Sequence, residues 1–280
     1  MFIGFFIVII GLGYAFSYLY GNPSILYFAV IFTSVTSFIS YWYSDKIVLK
    51  IARAVPVEMK NHPELYRIVE NLSITAGLPM PKIYVAPEAA LNAFATGRNP
   101  KNSVVVVTEG LLQKLNRTEL EGVIAHELSH IGNRDMLLGT VAVILVGFIS
   151  LLSDFFMRSM FWGGNRKRGE GNAYLIIIGL VLSILAPLAA TLIRLAISRR
   201  RESLADASGA LLTRYPEGLA NALQKIADDT TPMTRANNTT SHLWLEDPFH
   251  DQKKTPLFHK LFMTHPPTED RIRALREMSV

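Results

Sequence analysis

The sequence predicts a mostly helical α+β fold in which two hairpins of membrane-spanning helices are joined to a soluble domain with a small β-sheet. Three observations carry this. Of the 280 residues, 50% are hydrophobic and only 18% charged, against about 25% charged in an ordinary soluble chain. The apolar residues gather into four nearly uncharged runs. The segments between those runs show helical periods and short β-branched stretches.

No charged residue precedes Asp45. Residues 1–20 and 25–43 form two apolar runs broken by the turn Gly21-Asn22-Pro23-Ser24. Each run is close to the ~20 residues a spanning helix needs. A cleaved signal peptide fits poorly, because no basic segment precedes the first run and no small-residue cleavage site precedes the second. Uncharged stretches at 136–153 and 171–193 make a second pair. The chain therefore divides into a hairpin at 1–44, a first soluble part at 45–135, a second hairpin at 136–197 and a second soluble part at 198–280.

Within the soluble parts, Leu65, Ile68, Val69 and Leu72 have a helical period over 62–78, ending at Gly77. Residues 82–86 and 103–108 are rich in β-branched side chains and read as strands. Thr118 followed by Glu121 has the spacing of a capping box. It would start a helix with Leu120, Val123, Ile124, Leu128 and Ile131 on its apolar side. Helices are expected at 198–212 and 218–227, and Thr268 is expected to cap a last one running to about Met278. Residues 228–256 read as a long polar loop. No internal repeat is present.

Composition excludes several chemistries. With no cysteine there is no disulfide framework, thiolate zinc site, cysteine nucleophile or iron–sulfur cluster. Any metal must be held by His, Asp or Glu. The net charge of +5 is no sign of a nucleic-acid partner, because much of the basic excess lies beside the apolar runs, where Lys and Arg flank membrane spans.

The chemistry concentrates at His126-Glu127-Leu128-Ser129-His130. Residues i and i+4 share one face of a helix, so both imidazoles can reach one metal ion with Glu127 beside it. Neutral imidazole is a good zinc ligand, and Glu127 is placed to take a proton from water at the metal. The competing reading is two exposed histidines near a membrane interface.

A catalytic zinc usually has three protein ligands and one open position, so a third is missing. Candidates downstream are His242, His250, His259, His265, Glu202, Asp206, Glu217 and the carboxylates of the 228–256 loop. At 1.5 Å per residue, His130 and His126 lie about 9 and 15 Å before the third apolar run, and Glu202 about 14 Å beyond the fourth. A hairpin returns the chain to the same side, so Glu202 arrives at the height of the histidines. Asp206, four residues on, shares its face and could orient a ligand histidine. Small residues at Ala205, Ala207, Ser208, Gly209 and Ala210 would allow close approach of the two helices. Spacing also leaves open a reading in which Glu202 pairs with Arg199 or Arg201 on a solvated helix.

The chain resembles the HtpX-type membrane metalloproteases, in the wider group that includes the CAAX prenyl endopeptidases. Four motifs carry the resemblance: Leu91-Asn92-Ala93-Phe94-Ala95-Thr96-Gly97, the His126–His130 pentad, Glu202-Ser203-Leu204-Ala205-Asp206, and Thr264-His265-Pro266-Pro267 with Arg271-Ile272. The resemblance implies a zincin-like protease domain with one zinc at His126, His130 and Glu202, and Glu127 as general base. It further implies an edge strand around Asn92, Ala93 and Phe94 that binds the substrate backbone, and oxyanion stabilisation by His265. Read from the residues alone, 91–101 could be only a strand edge and turn, and His265 could only shape the entry to the last helix. Arg271 reads as structural, holding a carboxylate near the site.

The function expected is hydrolysis of peptide bonds in membrane or misfolded proteins, with polypeptides and the lipid bilayer as partners. The resemblance suggests membrane-protein quality control. The basic residues Lys46, Lys50, Arg53, Arg134, Arg199, Arg200 and Arg201 lie on the side of both soluble parts. Arg158, Arg166, Lys167 and Arg168 lie on the other. That balance favours a site facing the cytoplasm of a bacterial or archaeal cell. Ala186-Pro187 interrupts the fourth run, which leaves open whether the second hairpin crosses fully. An intramembrane protease would place the pentad in an uncharged run, whereas Arg117, Glu119, Glu121, Arg134 and Asp135 flank it. A membrane scaffold or transporter component would have structural zinc or none. Oligomeric state is not set by the sequence.

Overall fold

A single 28-residue helix, α1 (Ser24–Ile51), carries the second apolar run well past its last uncharged residue. At 1.5 Å per residue it is about 42 Å long, longer than the ~30 Å hydrocarbon core. Asp45, Lys46 and Lys50 fall on its final turns. Among the described residues it is the one helix long and apolar enough to cross a membrane. Four of its hydroxyls turn back onto the helix: Ser34, Thr36 and Ser40 donate to the carbonyls of Val30, Phe32 and Thr36 at 2.8, 2.6 and 2.7 Å, and Thr33 donates to Ala29. Each such bond satisfies a hydroxyl within the helix itself. Gly21, with φ of 60°, makes the turn before it.

The computed structural model describes residues 6, 7, 9–11, 13, 14, 17, 18, 21–141, 199–233, 243–245 and 267–278. The second hairpin beyond residue 141, His265 and most of the 228–256 segment lie outside the described residues. The chain divides into two compact units, residues 1–43 with 141–192, and residues 44–140 with 193–280.

The second unit is built on a four-stranded mixed sheet in the order β1-β2-β4-β3. The strands are β1 (Val55–Pro56), β2 (Lys82–Ala86), β3 (Ala93–Gly97) and β4 (Ser103–Thr108). β2 runs parallel to β4 from Lys82↔Val104 to Ala86↔Thr108. β3 folds back antiparallel on β4, pairing Ala93 with Val107 and Gly97 with Ser103, so it ends the sheet. The four consecutive valines of β4 are buried on both faces, as a central strand requires.

Helix α2 (Pro63–Thr75) buries Leu65, Ile68, Val69 and Leu72 as their period predicts. It ends in a Schellman motif, with Leu78 N–H donating to Ser73 O at 2.9 Å and Gly77 N–H to Ile74 O at 3.1 Å. Gly77 adopts φ of 65° there, a conformation with no penalty for glycine. A short helix α3 (Glu109–Lys114), not foreseen, is capped by the Thr108 hydroxyl.

The pentad helix α4 (Arg117–Gly132) starts earlier than its spacing suggested. Asn116 is the N-cap, its side chain accepting from Glu119 N–H while Glu119 accepts from Asn116 N–H, which is the reciprocal capping box. Thr118 is therefore not the cap; it sits in the first turn and donates to Asn116 Oδ1 at 2.9 Å. Asn116 and Glu119 have the same spacing as Thr118 and Glu121, and Asn is at least as good a cap as Thr.

Helices α5 (Arg199–Thr213), α6 (Pro216–Asp228) and α7 (Thr268–Glu277) complete the unit. Thr268 is the first residue of α7 rather than its cap. Pro267 holds the cap position without a side-chain bond, and its fixed φ suits a helix entry. Leu120, Val123, Ile124, Leu128 and Ile131 of α4 form one core with Leu219, Leu223 and Ile226 of α6 and Ile272 and Leu275 of α7. The Lys225 ammonium, 2.7 Å from Glu119 Oε2, ties α6 to the start of α4.

Candidate metal centre

The close approach of α5 to α4 is set by glycine and alanine. Glu202, Ala205, Asp206, Gly209 and Ala210 form the buried face of α5, while Leu204 and Leu211 are exposed. A Cβ on Gly209 would stand 3.0 Å from His126 N. The two backbones thus touch where the site begins, and the Glu202 side chain reaches the pentad.

His126 and His130 lie one turn apart with ring centroids 4.7 Å apart and planes at 88°. Their Nε2 atoms converge to 3.1 Å. The Glu202 carboxylate straddles them, Oε2 lying 3.8 Å from His126 Nε2 and Oε1 3.7 Å from His130 Nε2. One donor atom from each of the three residues lies within 4.8 Å of the others. Bonds of ~2.0–2.1 Å to a tetrahedral ion put neighbouring ligand atoms about 3.3 Å apart. The donor set therefore fits a four-coordinate metal ion with small side-chain adjustments, and it leaves a fourth position for water or substrate.

Each histidine has a carboxylate at its far nitrogen. His126 Nδ1 is 2.9 Å from Asp206 Oδ1, although the N–H is not aligned for a straight hydrogen bond. Asp206 is itself gripped by Arg271, whose Nε donates to Oδ2 at 2.8 Å and Nη2 to Oδ1 at 2.7 Å. Burial alone would raise the Asp206 carboxyl, but the Arg271 guanidinium overrides it and holds the group well below the usual carboxylate range. The carboxylate expected to be held by Arg271 is thus Asp206. Arg271 Nη1 also comes within 3.9 Å of Glu202 Oε2.

His130 Nδ1 lies 3.4 Å from Asp135 Oδ2, a partner the sequence reading missed. The end of α4 explains it. Asp135 N–H donates to His130 O at 3.0 Å and Arg134 N–H to Ile131 O at 3.2 Å, with Arg134 at φ of 60°. This Schellman closure folds Asp135 back over His130. Burial would lower the imidazole, but the Asp135 hydrogen bond and the charges of Glu202, Glu127 and Asp135 raise it to about 9.

Glu127 is buried beside the two histidines. Desolvation raises its carboxyl, against the opposing pull of His126 and His130. A raised carboxyl in a cleft of perturbed groups is the condition expected of a general base.

Strand β3 lies at the sheet edge as the resemblance suggests, but it is covered. Ala93, Phe94 and Asn92 are buried. Leu245 N–H donates to Ala93 O at 2.9 Å, and the Trp244 ring stands edge-on to Phe94 with centroids 4.7 Å apart at 79°. Trp244 falls in the 228–256 segment, whose sequence reads as a polar loop. No local period could have revealed its partner. His265 lies outside the described residues.

The chain is similar to known proteins along most of its length. A family model described as "Peptidase family M48" matches residues 59–279. The "Protease HtpX homolog" of Caldanaerobacter subterraneus is 46% identical over 99% of this chain and 92% of its own length. That of Dictyoglomus turgidum is 50% identical over 87% of this chain and 78% of its own length. The crystal structure of S. mikatae Ste24p matches 98% of this chain and 62% of its own, with a TM-score of 0.54 and 19% identity, which is a likeness of fold. Given a family model matching residues 59–279 and relatives near half identical over most of both chains, this chain belongs to peptidase family M48, among its HtpX-type metallopeptidases.

Proposed function

We propose that the chain is a membrane-bound, zinc-dependent endopeptidase that cleaves membrane or misfolded proteins, as membrane quality control requires. The observation that carries this is the convergence of His126, His130 and Glu202 from two helices, with the buried Glu127 carboxyl beside them. His126, His130 and Glu202 would hold one zinc ion per chain. Nitrogen and carboxylate donors without sulfur suit zinc. Zinc bound there supplies Lewis acidity, polarising the scissile carbonyl and making a water molecule easier to deprotonate.

The remaining chemistry belongs to the chain. Glu127 accepts a proton from the attacking water, whose oxygen adds to the carbonyl carbon. The same carboxyl then delivers that proton to the departing amine nitrogen as the C–N bond breaks. Desolvation of Glu127 strengthens it as a base. Asp206 orients His126, and Arg271 fixes Asp206. The β3 edge aligns the peptide through main-chain bonds that are indifferent to sequence. The motif Thr264-His265-Pro266-Pro267 supports His265 as an oxyanion donor. The basic residues beside the apolar runs support a multi-pass protein with its site facing the cytoplasm.

Purified protein in detergent should cleave casein or an unfolded membrane protein, lose that activity to a zinc chelator and recover it with added zinc. Cleavage unaffected by complete metal removal would sink the proposal.

A further inference from the structure

The edge of β3 already carries a peptide. Thr108 N–H donates to Asn92 O at 3.0 Å, so antiparallel alternation turns the main-chain groups of Ala93 and Ala95 toward the free edge. An open edge strand presents such groups to any passing chain. Here the Ala93 N–H is taken by Asn92 Oδ1 at 3.1 Å, and the Ala93 carbonyl accepts from Leu245 N–H at 2.9 Å. The other main-chain group of Leu245 is also tied, its carbonyl accepting from Arg271 Nη1 at 3.5 Å. One residue thus bridges the sheet edge and the arginine that fixes Asp206 behind His126. Beside it the Trp244 ring stacks edge-on against Phe94, and Leu243 and Trp244 face a cavity walled by Val48, Ile51 and Glu88.

We propose that Leu243-Trp244-Leu245 occupies, in cis, the place on the β3 edge that an extended peptide substrate takes, so that the segment competes with substrate and the edge favours peptides with an aromatic side chain for Phe94. This rests on the reading of β3 as the substrate-binding edge. Main-chain addition to a strand with one aromatic anchor is how extended peptides are commonly recognised. With β3 buried, a peptide can reach Ala93 only by replacing this segment. Its apparent affinity then falls in proportion to the fraction of molecules whose edge is open.

The test is binding, which needs no hydrolysis. A labelled peptide of residues 241–247 (Ser-His-Leu-Trp-Leu-Glu-Asp) is titrated by fluorescence anisotropy into the full-length Glu127→Gln protein in detergent. Trp244→Ala removes the aromatic anchor, and Leu245→Pro removes the donor to Ala93. Each should lower the Kd roughly 3- to 10-fold by opening the edge, while Trp244→Phe should leave it near the parent value. The same peptide with alanine for tryptophan should bind several-fold more weakly. Unchanged or weaker binding in both opened variants, with melting near the parent, overturns the proposal. If either variant fails to fold, hydrogen exchange on the parent protein decides: added peptide must speed exchange at the Leu245 amide, and no change overturns the proposal. Peptide binding of this pattern without chelator-sensitive cleavage would sink the protease reading alone. Chelator-sensitive cleavage with Leu245 exchange indifferent to peptide would sink this inference alone.

Discussion

Asp206 is shared between Arg271 and His126: its Oδ1 lies 2.7 Å from Arg271 Nη2 and 2.9 Å from His126 Nδ1. The arginine fixes the carboxylate, and the carboxylate fixes the imidazole. Partners behind metal ligands typically change metal affinity 10- to 100-fold when removed. Asp206→Asn should therefore weaken zinc binding by about that factor, read by competition with a chromophoric chelator. Affinity within about twofold of wild type would show that Asp206 serves only the fold. Arg271→Met strands a buried carboxylate and should cost on the order of 3–5 kcal/mol of stability in denaturant unfolding.

Zinc binding should strengthen as pH rises. In the metal-free site the imidazole of His130 is raised to about 9, because the Asp135 bond and nearby carboxylates outweigh burial. Zinc needs the neutral ring, so a proton must leave. Apparent affinity should climb steeply between about pH 6.5 and 9 as that proton becomes easier to displace. The sign for stability is opposite. A folded value above the unfolded one gives a contribution present below the unfolded pKa of about 6.5 and lost as pH rises through the folded value. His130 should therefore stabilise the metal-free protein at pH 6 relative to pH 9.5, and Asp135→Asn should reduce that difference. Equal melting differences in the two proteins would contradict this origin.

Gly209 sets the distance between the Glu202 helix and the histidines. A Cβ there would meet His126 N at 3.0 Å and His126 Cα at 3.2 Å. Gly209→Val should force the helices apart and destabilise by about 1–3 kcal/mol, with loss of zinc affinity because Glu202 is drawn away. Leu211→Ala, on the exposed face of the same helix, should stay within about 0.5 kcal/mol of wild type. Full zinc affinity in Gly209→Val would mean that the spacing is not what positions Glu202.

Local pattern made part of this structure legible and left the rest hidden. The i, i+4 spacing of His126 and His130 fixed their common face, and the β-branched runs gave β2 and β4 with their observed bounds. Residue spacing named Glu202 among the candidates to approach the histidines, and its carboxylate lies 3.8 and 3.7 Å from them. The apolar runs used in that count lie largely outside the described residues. Asp135 was hidden because its approach depends on Arg134 adopting φ of 60°, a conformation arginine does not advertise. Leu245 was hidden because its bond to Ala93 is made across the tertiary fold and leaves no periodic trace. The cap of α4 was misplaced by two residues because two boxes of equal spacing overlap, and the sequence contains both.

Glu127 should trade stability for activity. Its carboxyl is raised by desolvation, so it costs the folded, metal-free protein stability at pH values above the unfolded carboxyl range. Glu127→Gln keeps the shape and removes the charge. Melting of the metal-free variant should rise, by about 2–4 °C for each kcal/mol relieved. A lower melting temperature would argue that the carboxylate is held by compensating bonds.

The most direct measurement is zinc content and peptide cleavage on one preparation of the Glu127→Gln protein beside wild type. The account predicts one zinc per chain in both, with turnover in the variant reduced by at least about 10²-fold, the lower end of what a positioned acid–base group contributes. Zinc retained with cleavage near the wild-type rate would contradict Glu127 as the base, and zinc lost would show that Glu127 belongs among the ligands.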